Sequence, residues 1–176
     1  MNEAVSTKMI RVALAGNPNC GKSTIFNALT GSHQHVGNWP GKTVEKKAGT
    51  CKVGSITLEV VDLPGTYSLT AYSIEEIIAR DYIINNKPDV VISVVDATNI
   101  ERNLYLTIQI LELGVPVIVA LNMADMAEAR GIHIDETILS QALQSPIVRT
   151  IACDGKGLGT LIETILASVE EDANAA

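Results

Sequence analysis

The stretch Gly16-Asn17-Pro18-Asn19-Cys20-Gly21-Lys22-Ser23 constrains this chain more than any other. It follows the apolar run Ile10–Ala15 and precedes "STIFNALTG", which reads as a helix stopped at Gly31. Between a strand and a helix, Gly16 and Gly21 let the backbone wrap with its N–H groups turned inward, forming an anion nest at a helix N-terminus. Lys22 supplies a point charge for β- and γ-phosphates, and the Ser23 hydroxyl an oxygen ligand for Mg²⁺. Such a loop commits the chain to a strand–loop–helix unit that grips a nucleoside triphosphate.

The rest of the chain agrees with that commitment. Residues 89–96 (DVVISVVD) and 115–122 (VPVIVALN) are nearly continuous β-branched runs, the pattern of strands covered on both faces. "TVEKKAGTCKV" and "SITLEVVD" predict a strand pair joined near Gly54, and residues 147–152 a last strand before a helix over 158–169. Ser73 with Glu76, and Thr98 with Glu101, have capping-box spacing. Ile74, Ile77, Ile78 and Tyr82 form one helical apolar face, and Leu104, Ile108 and Leu111 another. Residues 32–43 read as a long polar loop. Alternating strands and helices predict an α/β, doubly wound, mainly parallel sheet of six to seven strands flanked by helices, with its ligand site beyond the strands' carboxyl ends.

Composition narrows the class further. Apolar residues make up 47% of the 176, so a disordered chain is excluded, and aromatics only 3%, so the core is aliphatic. A net charge of −7 argues against a nucleic-acid footprint over the whole surface. Three cysteines without C-x-x-C spacing build no disulfide framework or zinc site, which suits a reducing cytosol. No apolar run approaches the ~20 residues of a membrane span, and no secretory signal opens the chain. The chain as given is expected to be soluble.

Two further motifs decide the base and the metal. Asp62-Leu63-Pro64-Gly65 ends the strand "LEVVD". The aspartate there suits the Mg²⁺ shell, and the Gly65 N–H suits the γ-phosphate. Asn122-Met123-Ala124-Asp125 closes a buried strand, and the Asp125 carboxylate suits both N1–H and the 2-amino group of guanine. Adenine offers neither donor, so the nucleotide predicted is GTP or GDP.

GNPNCGKST, Thr43, DLPG and NMAD, in this order, resemble the translation-factor-related GTPases of the TrmE-Era-like superfamily. "VGNWPGKTVEKK" (36–47), "DLPGTYSLTAYSIEEIIARDYI" (62–83) and "VVDATNIERNLYLTIQ" (94–109) narrow the resemblance to the cytosolic G domain of the ferrous iron transport protein B family, over residues 10–169. It implies a P-loop small-GTPase fold over 10–170, flanked by flexible segments 1–9 and 171–176, with switch I at 33–43 and switch II at 62–74. It implies GTP hydrolysis, as a conformational switch, coupled to Fe²⁺ uptake at the cytoplasmic face of a prokaryotic inner membrane. It also implies partner regions outside this chain, a helical domain and a membrane permease region, so that the chain is a G domain taken from a longer protein. No nucleic acid partner is expected, and the fragment is expected to be a monomer or weak oligomer.

Position by position, the resemblance makes Gly16, Asn17, Pro18, Asn19, Cys20, Gly21, Lys22, Ser23 and Thr24 the phosphate loop. Gly41, Lys42 and Thr43, then Asp62, Leu63, Pro64 and Gly65, become the switch contacts. Ser23, Thr43 and Asp62 hold Mg²⁺. Asn122, Met123 and Asp125, with Ile151, Ala152 and Cys153, surround guanine, the Ala152 N–H meeting its O6. Asn19, with the Gly37 and Trp39 carbonyls, would hold a K⁺ that activates hydrolysis in place of an arginine finger. Asn19, Lys22, Thr43 and Gly65 are the catalytic candidates. Three departures stand out: Ile151 where a serine brace is usual, Lys42 where an apolar residue is common, and Met123 for lysine. Thr66 stands where many small GTPases place a water-orienting glutamine, and no arginine lies in switch I or early switch II, so slow intrinsic turnover is predicted.

Other residues read more simply. His33 and His35 fit a solvated loop, Cys20 a small filler or a thiol activated by Lys22, and Trp39 a hydrophobic anchor or a partner contact. Two rival functions are a slow nucleotide-binding regulatory module and a ribosome- or tRNA-associated GTPase.

Overall fold

The computed structural model describes residues 8–175. They form a seven-stranded sheet in the order β2-β3-β4-β1-β5-β6-β7. The strands are β1 (Lys8–Gly16), β2 (Gln34–Asn38), β3 (Glu45–Val53), β4 (Ile56–Asp62), β5 (Val90–Asp96), β6 (Val117–Asn122) and β7 (Ile147–Arg149). β4, β1, β5, β6 and β7 run parallel; β3 is antiparallel to β4 and β2 to β3. Six α-helices cover the sheet: α1 (Lys22–Thr30), α2 (Ile74–Asn86), α3 (Ile100–Glu112), α4 (Ala124–Ala129), α5 (Glu136–Leu143) and α6 (Leu158–Ala175).

The two-residue period of each central strand builds two separate cores. Ile10, Val12 and Leu14 of β1, with Val90, Ile92, Val94, Ile118 and Ala120, pack under Ile25, Phe26 and Leu29 of α1 and Leu161 and Ile165 of α6. Ala13 and Ala15, with Val91, Val95, Val119 and Leu121, face Ile78 and Ile83 of α2 and Leu106 and Ile110 of α3. Because both faces are covered, these strands read as continuous apolar runs. The expected doubly wound sheet is present, at the upper strand count.

Several local expectations need correction. Residues 32–43 contain an edge strand, β2, rather than a plain loop. Its ladder to β3 is made by backbone groups, while Val36 is 62% exposed, so no burial pattern announces it. Thr98 does not cap α3. Asp96 accepts from the Thr98 N–H and hydroxyl at 2.8 and 2.7 Å, closing a 3₁₀ turn, and Asn99 precedes the helix without a side-chain cap. The buried face of α3 is Asn103, Leu106, Thr107 and Ile110, with Ile108 exposed. The sequence pattern misleads because two polar residues are buried there with partners: Asn103 bonds Asp96 N and Asn99 O, and Thr107 bonds Ser93. On α2, Ile78 and Ile83 are buried while Ile74 is exposed.

The last strand stops at Arg149, followed by an isolated Ile151–Lys156 bridge. Helix α6 runs to Ala175, so the segment expected as a frayed tail is helical backbone. Residues 1–7 of the expected flexible N-terminus lie outside the described residues, whereas Lys8 and Met9 already pair with Ile56 and Thr57. Helices α4 and α5, unmarked by long periodic runs, complete the fold. No described helix is long and apolar enough to cross a membrane.

Candidate functional site

The carboxyl ends of β1, β4, β5, β6 and β7 meet at one edge of the sheet. Register places Leu14 beside Asp62, Gly16 beside Val94, Asp96 beside Asn122, and Leu121 beside Arg149. At this edge opens a cavity of about 560 Å³, lined by Asn17, Pro18, Asn19, Gly21, Lys22, Ser23, Thr24, Gly65 and Met123. It lies where β1 is flanked by strands leading in opposite directions, the switch point that hosts ligands in doubly wound sheets.

The phosphate loop is shaped by close approaches. A Cβ on Gly16 would meet Cys20 Sγ at 2.7 Å and the Val94 carbonyl at 2.8 Å. Gly21 takes φ +91°, and the space its side chain would need is filled by the Asn122 amide. That amide donates to the Cys20 carbonyl at 3.0 Å. So the second glycine of the loop and the asparagine ending β6 are one structural unit. Asn19 also sits at φ +65°, in the left-handed region that asparagine tolerates. Asn17 is buried; its amide reaches the Arg102 carbonyl at 3.5 Å, and its Oδ1 has no hydrogen-bond partner among the described residues.

Lys22 and Asp62 form a buried ion pair, their side chains 9% and 7% exposed. Ser23 Oγ lies 3.4 Å from the other carboxylate oxygen of Asp62. Lys22 and Ser23 of the cavity lining therefore meet Asp62, and the hydroxyl and carboxylate are hard-oxygen groups that fit Mg²⁺. The DLPG turn is tied to the phosphate loop by its backbone. Leu63 N–H donates to the Leu14 carbonyl at 3.0 Å and Thr66 N–H to the Gly16 carbonyl at 3.3 Å. Gly65 packs against Pro18, leaving a Cβ there only 3.3 Å from the Pro18 Cα. Thr66 is buried, and its hydroxyl donates to the Ser68 carbonyl.

Around the base-binding corner the expectations divide. Asp125 is exposed on the first turn of α4, which Met123 precedes at φ +59°. Asn122, by contrast, is only 3% exposed and its amide is fully used inside the protein. Its Oδ1 accepts from the Ala152 N–H at 3.0 Å and the Thr150 hydroxyl at 3.2 Å. Asn122 thus braces this corner from within, and the Ala152 N–H, expected to face the base, donates to it. The same bonds answer the Ile151 departure. The polar brace is supplied one residue earlier, by buried Thr150, whose hydroxyl at a strand end was the signal available. Ile151 itself pairs with Lys156, and Cys153 is exposed.

The expected switch I, residues 33–43, does not line this cavity. Thr43, Gly41, Lys42 and Gly37 are exposed and do not line it. Trp39 is buried against α2, as the anchor reading expected. Its carbonyl accepts from the Lys42 N–H at 2.9 Å. The candidate Mg²⁺ ligand Thr43 and the candidate K⁺ ligands Gly37 and Trp39 are thus not gathered with Ser23 and Asn19. His33 and His35 are exposed, and no group of three or more metal-ligating side chains assembles among the described residues. Burial pushes the Cys20 thiol up to about 11, outweighing the opposing effect of Lys22. Cys20 is therefore an inert filler, and the activated-thiol reading fails.

The segment expected as switch II, residues 62–74, is held from two sides. Glu76 accepts from Ser68 Oγ at 2.7 Å, Thr70 Oγ1 at 3.3 Å, Tyr72 N at 2.9 Å and Ser73 N at 3.4 Å. These bonds, the one from the Ser68 hydroxyl foremost, hold its carboxyl below the usual range. From α3, Gln109 accepts from Leu69 N at 2.8 Å, and Arg102 stacks 4.1 Å from the Tyr67 ring centroid. The α3 contacts were not anticipated, since nothing in the linear pattern links these positions.

Comparison with known proteins agrees with this geometry. Residues 10–165 match the family described as ferrous iron transport protein B. The Fe(2+) transporter FeoB of Escherichia coli K12 is 51% identical over 158 residues, covering 88% of this chain and 20% of that protein. A Porphyromonas gingivalis fusion of Fe(2+) transport protein A with the FeoB transporter is 50% identical over 167 residues, again 20% of its length. The chain thus spans about a fifth of the curated relatives it matches. Among solved structures, the FeoB G domain of Methanococcus jannaschii has 48% identity and a TM-score of 0.82, covering 93% of this chain and 99% of that one. The cytosolic domain of the T. maritima FeoB iron transporter in a GDP form has 48% identity and a TM-score of 0.89, over 92% of this chain and 63% of that one.

Proposed function

Since the chain belongs to the ferrous iron transport protein B family and has the fold of its G domains, we propose that it binds GTP and GDP, hydrolyses GTP slowly, and switches conformation to control Fe²⁺ uptake by a larger membrane protein. The single observation that carries the reading is the cavity at the strand ends, lined by Lys22 and Ser23 beside Asp62 and by Met123, two residues before Asp125.

In this reading the loop from Gly16 to Thr24 wraps the phosphates, and Lys22 leaves Asp62 to meet them. Ser23 and Thr43, with Asp62 behind, hold Mg²⁺, which supplies charge neutralisation on the phosphate oxygens. Gly65 lends its N–H to the terminal phosphate. Asp125 reads guanine, and Asn122 acts through the loop it braces. Asn19 supports a K⁺ whose remaining ligands, the Gly37 and Trp39 carbonyls, arrive with switch I. Thr66 cannot replace a water-orienting glutamine while its hydroxyl is tied to Ser68, which agrees with slow turnover. The larger size of the relatives supports further regions in the intact protein, a helical domain and a membrane permease part facing this domain at the cytoplasmic side.

An affinity panel of GTP, GDP and ATP with Mg²⁺, run in KCl and in NaCl, tests the reading. Guanine nucleotides should bind and ATP should not, with Asp125→Asn erasing the preference. Single-turnover hydrolysis should run faster in KCl than NaCl, and Asn19→Ala should remove the difference. ATP held as firmly as GTP would sink the proposal. Hydrolysis undetectable in either salt would leave a binding module, and salt-sensitive RNA binding would favour the RNA-associated rival.

A further inference from the structure

Resting on the nucleotide-binding reading, we infer that Tyr82 is a switch I positioning residue: it latches Trp39 onto α2, and this latch competes with the delivery of Thr43 to the phosphate cavity. The latch begins in the sequence Trp39-Pro40-Gly41-Lys42. Pro40 sets the second position of a tight turn and Gly41, at φ +67°, the third, the residue choice of a type II turn. The Lys42 N–H closes it on the Trp39 carbonyl, and the Trp39 N–H donates to the Val44 carbonyl, both at 2.9 Å. This turn joins β2 to β3, so all of switch I from Gln34 onward is held as sheet edge plus hairpin.

What fixes the hairpin's tip is aromatic. The Trp39 ring meets Tyr82 edge-on, with centroids 5.5 Å apart at 76°, a favoured geometry for such pairs. Lys46 Nζ lies over the indole, 5.0 Å from its centroid. Trp39 is 8% exposed, among Leu63, Leu69 and Ile78 of switch II and α2. While it stays there, Thr43 is exposed and outside the lining of the cavity that holds Ser23, and the Trp39 carbonyl is occupied by Lys42.

Two observations show that the latch is built to open. The Trp39 indole N–H is buried without a hydrogen-bond partner among the described residues, an omission that costs stability and is repaired as soon as the ring reaches water. Beside the ring lies a cavity of about 430 Å³ bordered by Trp39, Lys42, Lys46, Ile77, Tyr82 and Asn86, so the indole is not packed on every side. A ligand that recruits Thr43 must draw Trp39 out, and it loses affinity by the stability of the latch. GDP, which has no terminal phosphate for Thr43 to approach, does not.

The test uses Tyr82→Ala, Tyr82→Phe and Lys46→Gln, with GDP and the non-hydrolysable guanosine 5′-(β,γ-imido)triphosphate, each with Mg²⁺. Loss of the ring should tighten the triphosphate analogue roughly three- to tenfold while GDP changes less than about twofold, since an aromatic pair has that worth. Tyr82→Phe keeps the ring and should match the wild type, and Lys46→Gln should shift the ratio in the same direction by less. Trp39 is the one tryptophan, so its emission in the wild type should move to longer wavelength with the analogue and not with GDP. An unchanged analogue-to-GDP ratio in Tyr82→Ala and Lys46→Gln, with GDP still bound, would overturn the latch alone. So would an emission spectrum unmoved by the analogue. Failure of the wild type to bind GDP at all would instead strike the nucleotide reading on which the latch rests.

Discussion

At the residue scale, two positions in one motif separate by burial into different jobs. Asn122 spends its amide on Cys20, Thr150 and Ala152, joining three loops at one buried point. Asn122→Ala leaves those partners unpaired, and a buried unpaired group costs about 1–3 kcal/mol. Urea unfolding should therefore show a loss of about 2–3 kcal/mol, together with weaker binding of both GTP and GDP. Asp125 is exposed, so Asp125→Asn should change stability by less than ~0.5 kcal/mol while altering base choice. Cysteine chemistry divides in the same way. Cys20 is buried with its thiol at about 11, and Cys153 is exposed. A thiol reagent at neutral pH should label Cys153 first and Cys20 only on unfolding. The raised thiol also has an alkaline consequence. Its contribution is fully present below the ordinary value of 9.0 and is lost as pH rises toward about 11.

Single elements show where sequence reading succeeds and where it cannot. The Ser73–Glu76 capping box was legible because both partners lie within one turn, and the structure forms both of its bonds. Ser73→Ala should cost about 1 kcal/mol. Glu76 carries more than the cap, since it also gathers Ser68, Thr70 and Tyr72. Its carboxyl is held low, so its stabilisation is present above the usual carboxylate range and disappears as pH falls through the depressed value. Stability curves against pH should accordingly fall less steeply on the acid side for Glu76→Gln than for the wild type. The edge strand β2 and the buried face of α3 were not legible. β2 is made by backbone pairing without side-chain burial, and α3 buries Asn103 and Thr107 because partners on distant elements satisfy them. Both depend on groups far away in sequence. Local periodicity carries no record of them.

For the whole molecule, the fold and the meeting of the candidate site's loops at one cavity were legible for one reason. Strand-ending Gly16, Asp62 and Asn122 follow apolar runs, and parallel order brings those ends together. What remained hidden was their mutual state, above all the buried Lys22–Asp62 pair joining β1's loop to β4. That pair links stability of the entire domain to its ligand. On the proposed reading phosphates compete with Asp62 for Lys22, so part of their binding free energy is used in breaking the pair. GDP at a hundredfold excess over its Kd adds about 2.7 kcal/mol, which for a chain of this size is a rise in Tm of roughly 5–10 °C. Asp62→Asn removes the competitor and leaves a buried ammonium without its counter-charge, which lowers the starting Tm. With GDP and EDTA, where Mg²⁺ plays no part, the variant should gain more degrees than the wild type, because the phosphates restore what the substitution removed. Calorimetric scans of both proteins with and without GDP decide the point. Equal gains would mean that Lys22 does not exchange its partner on binding, and that the ion pair is architecture alone.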